Sequence, residues 1–185
     1  MSLQTWQETL ISSQVDGTAI TNTTTQASLI PAAAKYTLPA NFFSTIGKVL
    51  KFSSHGRISN VVTTPGTLLF QVLFGATAVF NNGAAAGALN IVAKTDVAYW
   101  MEIVLTCRAI GTSANLMGQC QFTSESVVGA AAGAASSFMI PLSAPAVGSN
   151  FDSTLSQVVD LQAKFSVATA TTSIQSHQYK LESLM

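Results

Sequence analysis

The chain has 185 residues, enough for one domain with a sizeable core. Its Lys plus Arg number 8 and its Asp plus Glu 8, so only 9% of residues are charged, against about 25% in typical soluble domains. This balance excludes disorder driven by self-repulsion and leaves no basic cluster to follow a nucleic-acid backbone.

Near-zero net charge favours association, so the expectation is a surface covered by copies of the chain or by a partner. The alternative is a monomer with a neutral Thr/Ser/Asn-rich surface. No uninterrupted apolar stretch approaches the roughly 20 residues of a membrane-spanning helix. Met1 to Gln14 shows neither a basic n-region nor a long apolar run. Synthesis in a cytoplasm, with reduced cysteines, is therefore expected.

Helix signals are scarce, and period-2 alternation with turn dipeptides dominates. Gln7 to Asp16 reads as a first strand closed by Asp16-Gly17, followed by short extended pieces at Thr18 to Asn22 and Ala27 to Ile30. Residues 1–35 could form an extended arm. The segment Leu38 to Phe43 has room for one helical turn, with Pro39 near its start. Lys48 to Val62 is a long strand with Leu50, Phe52 and Ile58 on one face and Lys51, His55 and Arg57 on the other. Gly56 within it marks a bulge or a close backbone approach.

Pro65-Gly66 turns into Thr67 to Phe74, where Leu68, Phe70, Val72 and Phe74 share a face and Leu69 and Leu73 occupy the other. Ala76 to Phe80 ends at Asn82-Gly83, a hairpin dipeptide. Ala88 to Ala93 is a brief strand, Val97 to Ile110 the strongest, and Asn115 to Ser126 its partner across the turn Gly111 to Ala114. Gly129 to Ser137 has no bulky residue and reads as a small-residue loop. Phe138 to Leu142 precedes a loop containing Pro145. Asp160 to Ala168 alternates, with Leu161, Ala163, Phe165 and Val167 inward and Asp160, Gln162, Lys164 and Ser166 outward; Ser173 to Leu184 is the last strand.

About eight to ten short strands with Gly- and Pro-rich turns define an all-β class, read as a single-domain, jelly-roll-like antiparallel β-sandwich over 1–185. Cys107 and Cys120 flank a turn centred between Ser113 and Ala114. A simple hairpin would set them opposite each other as free, inward-facing thiols, with Leu105 opposite Phe122.

Chemistry is hard to find. A metal site needs clustered His, Cys or carboxylates, and His55 and His177 stand apart from such spacing. A triad could draw on His177 with Asp160 or Asp152, but no Gly-x-Ser-x-Gly elbow marks a nucleophile. Glu102 and Glu125 could act as a carboxylate pair if their strands bring them together near Tyr99 and Trp100. The simpler reading pairs each Glu with a base such as Arg57 or Arg108. The two Gly-Ala-Ala-Ala-Gly runs, at Gly83 and Gly129, lack the Lys-Ser/Thr and the helix of a phosphate loop. No residue is thus assigned a catalytic, cofactor or metal role. The interface candidates are Leu69, Leu73, Trp100 and Tyr179.

Several stretches resemble a family of small jelly-roll proteins encoded among the structural genes of tailed bacteriophages. They are Trp6-Gln7-Glu8-Thr9-Leu10, Asp16-Gly17-Thr18-Ala19, Leu38-Pro39-Ala40-Asn41-Phe42-Phe43, Gly47-Lys48 and Gly56-Arg57-Ile58-Ser59-Asn60. The series continues with Thr64-Pro65-Gly66-Thr67-Leu68, Leu105 to Gly111, Leu116-Met117-Gly118-Gln119 and Phe122-Thr123-Ser124-Glu125. The resemblance covers nearly the whole chain and implies a non-enzymatic virion component without cofactors. It would be a capsid decoration (cement) protein on the major capsid protein or other virion proteins. The composition adds the expectation of a homo-oligomer, a trimer. The alternative is a tail or spike module that binds host-surface glycans through exposed Trp100, Tyr99 and Tyr179. Neither nucleic acid nor membrane is an expected partner.

Overall fold

The computed structural model describes residues 6–61, 65–82, 87–128, 134–141, 148 and 150–184. Strands with inward apolar residues at every second position stack as two antiparallel sheets. The larger runs β1 (Gln7–Ser12), β12 (Ser173–Leu184), β5 (Val49–Asn60), β8 (Lys94–Ala109), β9 (Asn115–Ser124) and β10 (Ser136–Ile140), with β2 (Ile20–Thr21) also on β12. The smaller runs β3 (Ala27–Ser28), β11 (Gln157–Phe165), β6 (Leu68–Phe74) and β7 (Thr77–Asn81), with β4 (Thr37–Leu38) also on β11. β5 pairs with β12, while β6, next in the chain, pairs with β11, which precedes β12. A two-stranded ribbon therefore passes from one sheet to the other, which gives the sandwich its jelly-roll-like winding.

One core fills the space between the sheets. On β8, Tyr99, Met101, Ile103, Leu105 and Cys107 all point inward, in strict alternation with Trp100, Glu102, Val104 and Thr106. The aromatic residues form two groups. Phe122 contacts Phe70, Tyr99 and Phe138 at 5.3, 5.3 and 5.1 Å between ring centroids. Phe43, Phe74 and Phe151 make the second, with centroids 5.1 to 5.9 Å apart.

Residues 7–34 do not stand off as an arm. β1 adds a strand to the larger sheet, and Ile20, Leu29, Ile30 and Ala34 are core residues. The segment after Leu38 is a turn rather than helix: the Phe42 N–H donates to the Pro39 carbonyl, and Asn41 takes φ +59°, which asparagine tolerates. Among the described residues the one helical turn is a 3-10 turn at Ala32–Ala34, just after Pro31. Gly83, Gly129 to Gly133, and Pro145 lie outside the described residues.

Ala88 to Ala93 is not a strand, although isolated bridges tie Ala88 to Thr67 and Leu89 to Val127. Side chains hold this segment instead. The buried Asn60 amide donates to the carbonyls of Asn90 (2.6 Å) and Val92 (3.1 Å), and the Ser126 hydroxyl donates to the Asn60 carbonyl oxygen (2.7 Å). Lys94, itself buried, adds an ion pair to Glu125 at 3.1 Å.

The β8–β9 hairpin corrects the cysteine register. Cys107 lies opposite Leu116, and Cys120 opposite Ile103. The turn closes earlier than a symmetric count predicts, because Gly111 adopts φ +94° and accepts a hydrogen bond from the Ala114 N–H. The slip along β9 is four residues, an even number, so every side chain keeps its face. Both cysteines are therefore buried, as expected, and both are free thiols. Burial pushes each thiol's pKa up, so neither offers a thiolate at neutral pH.

Gly56 is a close approach. A methyl group there would run into the Gln175 carbonyl oxygen and come within 2.8 Å of the Tyr99 ring. The bulge itself sits across the ladder on β12, at His177, between Ser176 and Gln178. That extra residue resets the alternation: Ile174 and Ser176 face inward before it, Tyr179 and Leu181 after it.

Candidate functional site

The bulge decides the fate of one interface candidate. Tyr179 is only 3% exposed and points into the core, where its hydroxyl has no hydrogen-bond partner among the described residues. Tyr99 is equally buried; its hydroxyl lies 3.0 Å from Ser54, and desolvation pushes its pKa up to about 12 despite that hydrogen bond. Neither tyrosine offers a platform to a ligand. Leu69 and Leu73 do lie on the outer face of the smaller sheet, but both are half-buried, opposite Lys164 and Asp160. Asp160 is on that outer face yet buried, bonded by the Ser28 hydroxyl, the Gln162 amide and Lys35, with the Lys35 pair at 2.9 Å.

Of the three aromatic residues expected to meet glycans, only Trp100 is partly exposed. It projects from the outer face of the larger sheet opposite His55, with ring centroids 6.5 Å apart in edge-to-face fashion. Strand pairing sets Gln178 on the other side of His55 and Thr123 on the other side of Trp100. Along this row runs a groove of about 480 Å³ lined by Ser12, Ser53, His55, Trp100, Gln178 and Lys180. A second depression of about 320 Å³ shares Trp100 and continues over Ala98, Thr123 and Ala135.

The charges beside the groove are matched. Lys180 pairs with Glu182 at 2.8 Å and Lys51 with Glu102 at 2.7 Å. Glu182 is buried, which by itself raises its pKa. Hydrogen bonds from Lys180 and Gln7 and the charges of Lys180 and Lys51 outweigh that effect and hold it below the ordinary 4.5. A carboxyl with a depressed folded-state pKa stabilises the fold above its unfolded value and loses that contribution as pH falls through the folded value. Stability should thus drop on acidification below pH 4.5, and Glu182→Gln should flatten that part of the profile. Chemical denaturation as a function of pH checks this; an unchanged acid limb in the variant would refute it.

The other candidate groups stay apart. Glu102 is level with Gln121, and Tyr99 with Ser124, so Glu125 sits about four residues, or about 13 Å, further along the sheet. That exceeds the spacing of roughly 5 to 9.5 Å between the acids of a glycosidase. Their ionic partners are Lys51 and Lys94, not the arginines. His177 pairs with Asp16 through Nδ1 at 2.9 Å, rather than with Asp160 or Asp152. Among the described residues no group of three His, Cys, Asp or Glu side chains converges in a way that would hold a metal ion. Among the described residues no helix is long and apolar enough to cross a membrane.

The sequence reading missed the apolar ends of the sandwich. Ile91 and Val92 precede β8 and are 71% and 49% exposed; Val128, whose N–H donates to the Ala88 carbonyl, is 58% exposed. Ile110, just past the other end of β8, is exposed together with Ile46 and Leu155. Backbone bonds gather those three, since Gly47 donates to Cys107 and Ser153 to Gly111. The signal was present as aliphatic residues in turn segments, where polar residues are usual.

The fold and these surfaces define the chain as an antiparallel β-sandwich protein. No family model and no curated protein matches it. Among solved structures, arcelin-5, a lectin-like defense protein from Phaseolus vulgaris, aligns over 97% of this chain and 98% of its own at 8% identity, with a TM-score of 0.37. At that score the likeness says nothing of this chain's role.

Proposed function

We propose that the chain is a non-enzymatic structural subunit of a bacteriophage particle, a homotrimeric decoration protein that reinforces the shell by burying its apolar ends against neighbouring subunits. The observation that carries this reading is the tip formed by Ile91, Val92 and Val128. Large aliphatic side chains point into solvent from a segment that the buried Asn60, Asn90 and Ser126 hold in place. An exposed apolar tip on a surface with so few charges favours contact with other protein, because burial returns about 25 cal/mol per Å² of apolar area. The family resemblance supplies the particle. Many copies would add cohesion through multivalency without chemistry.

The pair Ile91→Asp and Val128→Asp should cost the isolated protein at most about 0.5 kcal/mol per site, as exposed positions do. It should nevertheless remove the protein from purified particles. Particles without the chain should form but burst earlier under heat or chelation. Normal incorporation of the double variant would sink the role of the tip. Particles that lack the chain, keep full stability and fail only to adsorb to cells would move the function to host recognition.

A further inference from the structure

The groove at Trp100 has a composition unlike the apolar ends. Among the described residues no Leu, Ile, Val or Met lines either depression beside the ring, and the aliphatic side chains there are those of Ala98 and Ala135. A protein partner would find no large aliphatic side chain among them to pack against. Of the polar side chains, Ser12, Ser53, His55 and Gln178 have no side-chain hydrogen bond to another described residue, whereas Thr123 bonds Ser137 and Lys180 bonds Glu182. They supply both donors and acceptors. One aromatic ring with convergent hydroxyl, amide and imidazole groups suits a ligand that has an apolar C–H face and a rim of hydroxyls. The charged side chains that line the depressions are each paired, Lys180 with Glu182 and Glu125 with Lys94, so the ligand should be uncharged.

We infer that the outer face of the larger sheet, centred on Trp100, is a binding site for a neutral oligosaccharide. One sugar ring stacks on the Trp100 indole, while Ser53, His55 and Gln178 bond its hydroxyls. Because the two depressions meet at Trp100, the bound chain continues across the strands toward Thr123 and β10. From β12 to β10 is four strand steps, about 19 Å, which favours an oligosaccharide over a single sugar. The site is independent of the particle role proposed above, and the chain can hold either function without the other.

The chain has two tryptophans, so Trp6→Phe leaves Trp100 as the sole indole reporter. In that background, tetrasaccharides of glucose, mannose, galactose and N-acetylglucosamine are titrated separately while indole emission is followed. At least one should shift the emission saturably, with an affinity that added salt does not change, as screening leaves a neutral ligand unaffected. By calorimetry, Trp100→Ala should weaken that sugar by at least about tenfold, or 1.4 kcal/mol, and Gln178→Ala should weaken it less. Circular dichroism confirms that both variants are folded. Three outcomes overturn the site: no response to any of the four sugars, full affinity in Trp100→Ala, or a Trp100→Ala variant that binds no less sugar but loses self-association, which would make the face a subunit contact.

Discussion

Gly56→Ala should lower the free energy of unfolding by about 3 kcal/mol or more, or abolish soluble expression. The added methyl has nowhere to go. On one side stands the Gln175 carbonyl, fixed by the ladder between β5 and β12; on the other is the Tyr99 ring, whose hydroxyl is held 3.0 Å from Ser54. Relief would require β12 to move, and β12 joins β1, β2 and β5. Ser53→Ala, on the solvent side of the same strand, should change stability by no more than about 0.5 kcal/mol. Urea denaturation of both variants checks the pair. A Gly56→Ala protein within about 1 kcal/mol of the parent would show that β12 shifts to make room for the methyl group.

Phe122→Ala should cost about 3 to 5 kcal/mol. The ring is fully buried and stacks between Tyr99 and Phe138, at interplanar angles of 18° and 19°, while touching Phe70 of the opposite sheet. Its removal opens a cavity at the point where the sheets meet and also forfeits the aromatic contacts, each worth about 0.5 to 1.5 kcal/mol. Phe122→Leu should restore part of the loss, because it refills much of the volume. Equilibrium unfolding with an unchanged denaturant slope measures both. A loss below about 1.5 kcal/mol would mean that the sandwich can collapse around the gap.

The strands were legible because this fold buries one face of most of them, so that alternation in residues such as Leu68, Phe70, Val72 and Phe74 maps directly onto the core. Local turn chemistry was less legible. Asn41 takes a left-handed conformation that turns the chain where Pro39 hinted at helix, and Gly111 closes the β8–β9 hairpin early. The cysteine faces survived that error only because the slip was even. At Gly56 the glycine announced crowding, but the bulge that accompanies it lies across the ladder at His177, where no residue type marks it. That bulge moved Tyr179 from the surface into the core. The groove at Trp100 was half legible: the residue was visible as a candidate, while its neighbours Ser12, Ser53 and Gln178 come from three strands or strand ends far apart in sequence. The apolar tip at Ile91 read as a strand because its support is a side-chain network, and Asn60 and Ser126 carry no periodic signal.

In the proposed role the sandwich sits on a phage particle and holds there through its apolar ends, which high-resolution imaging of the purified particle would reveal. Density for the sandwich is expected on the shell, in threefold clusters, with Ile91, Val92 and Val128 buried against a neighbouring subunit. A particle that contains the chain with those three side chains facing solvent, or a purified particle without the chain at all, would contradict it.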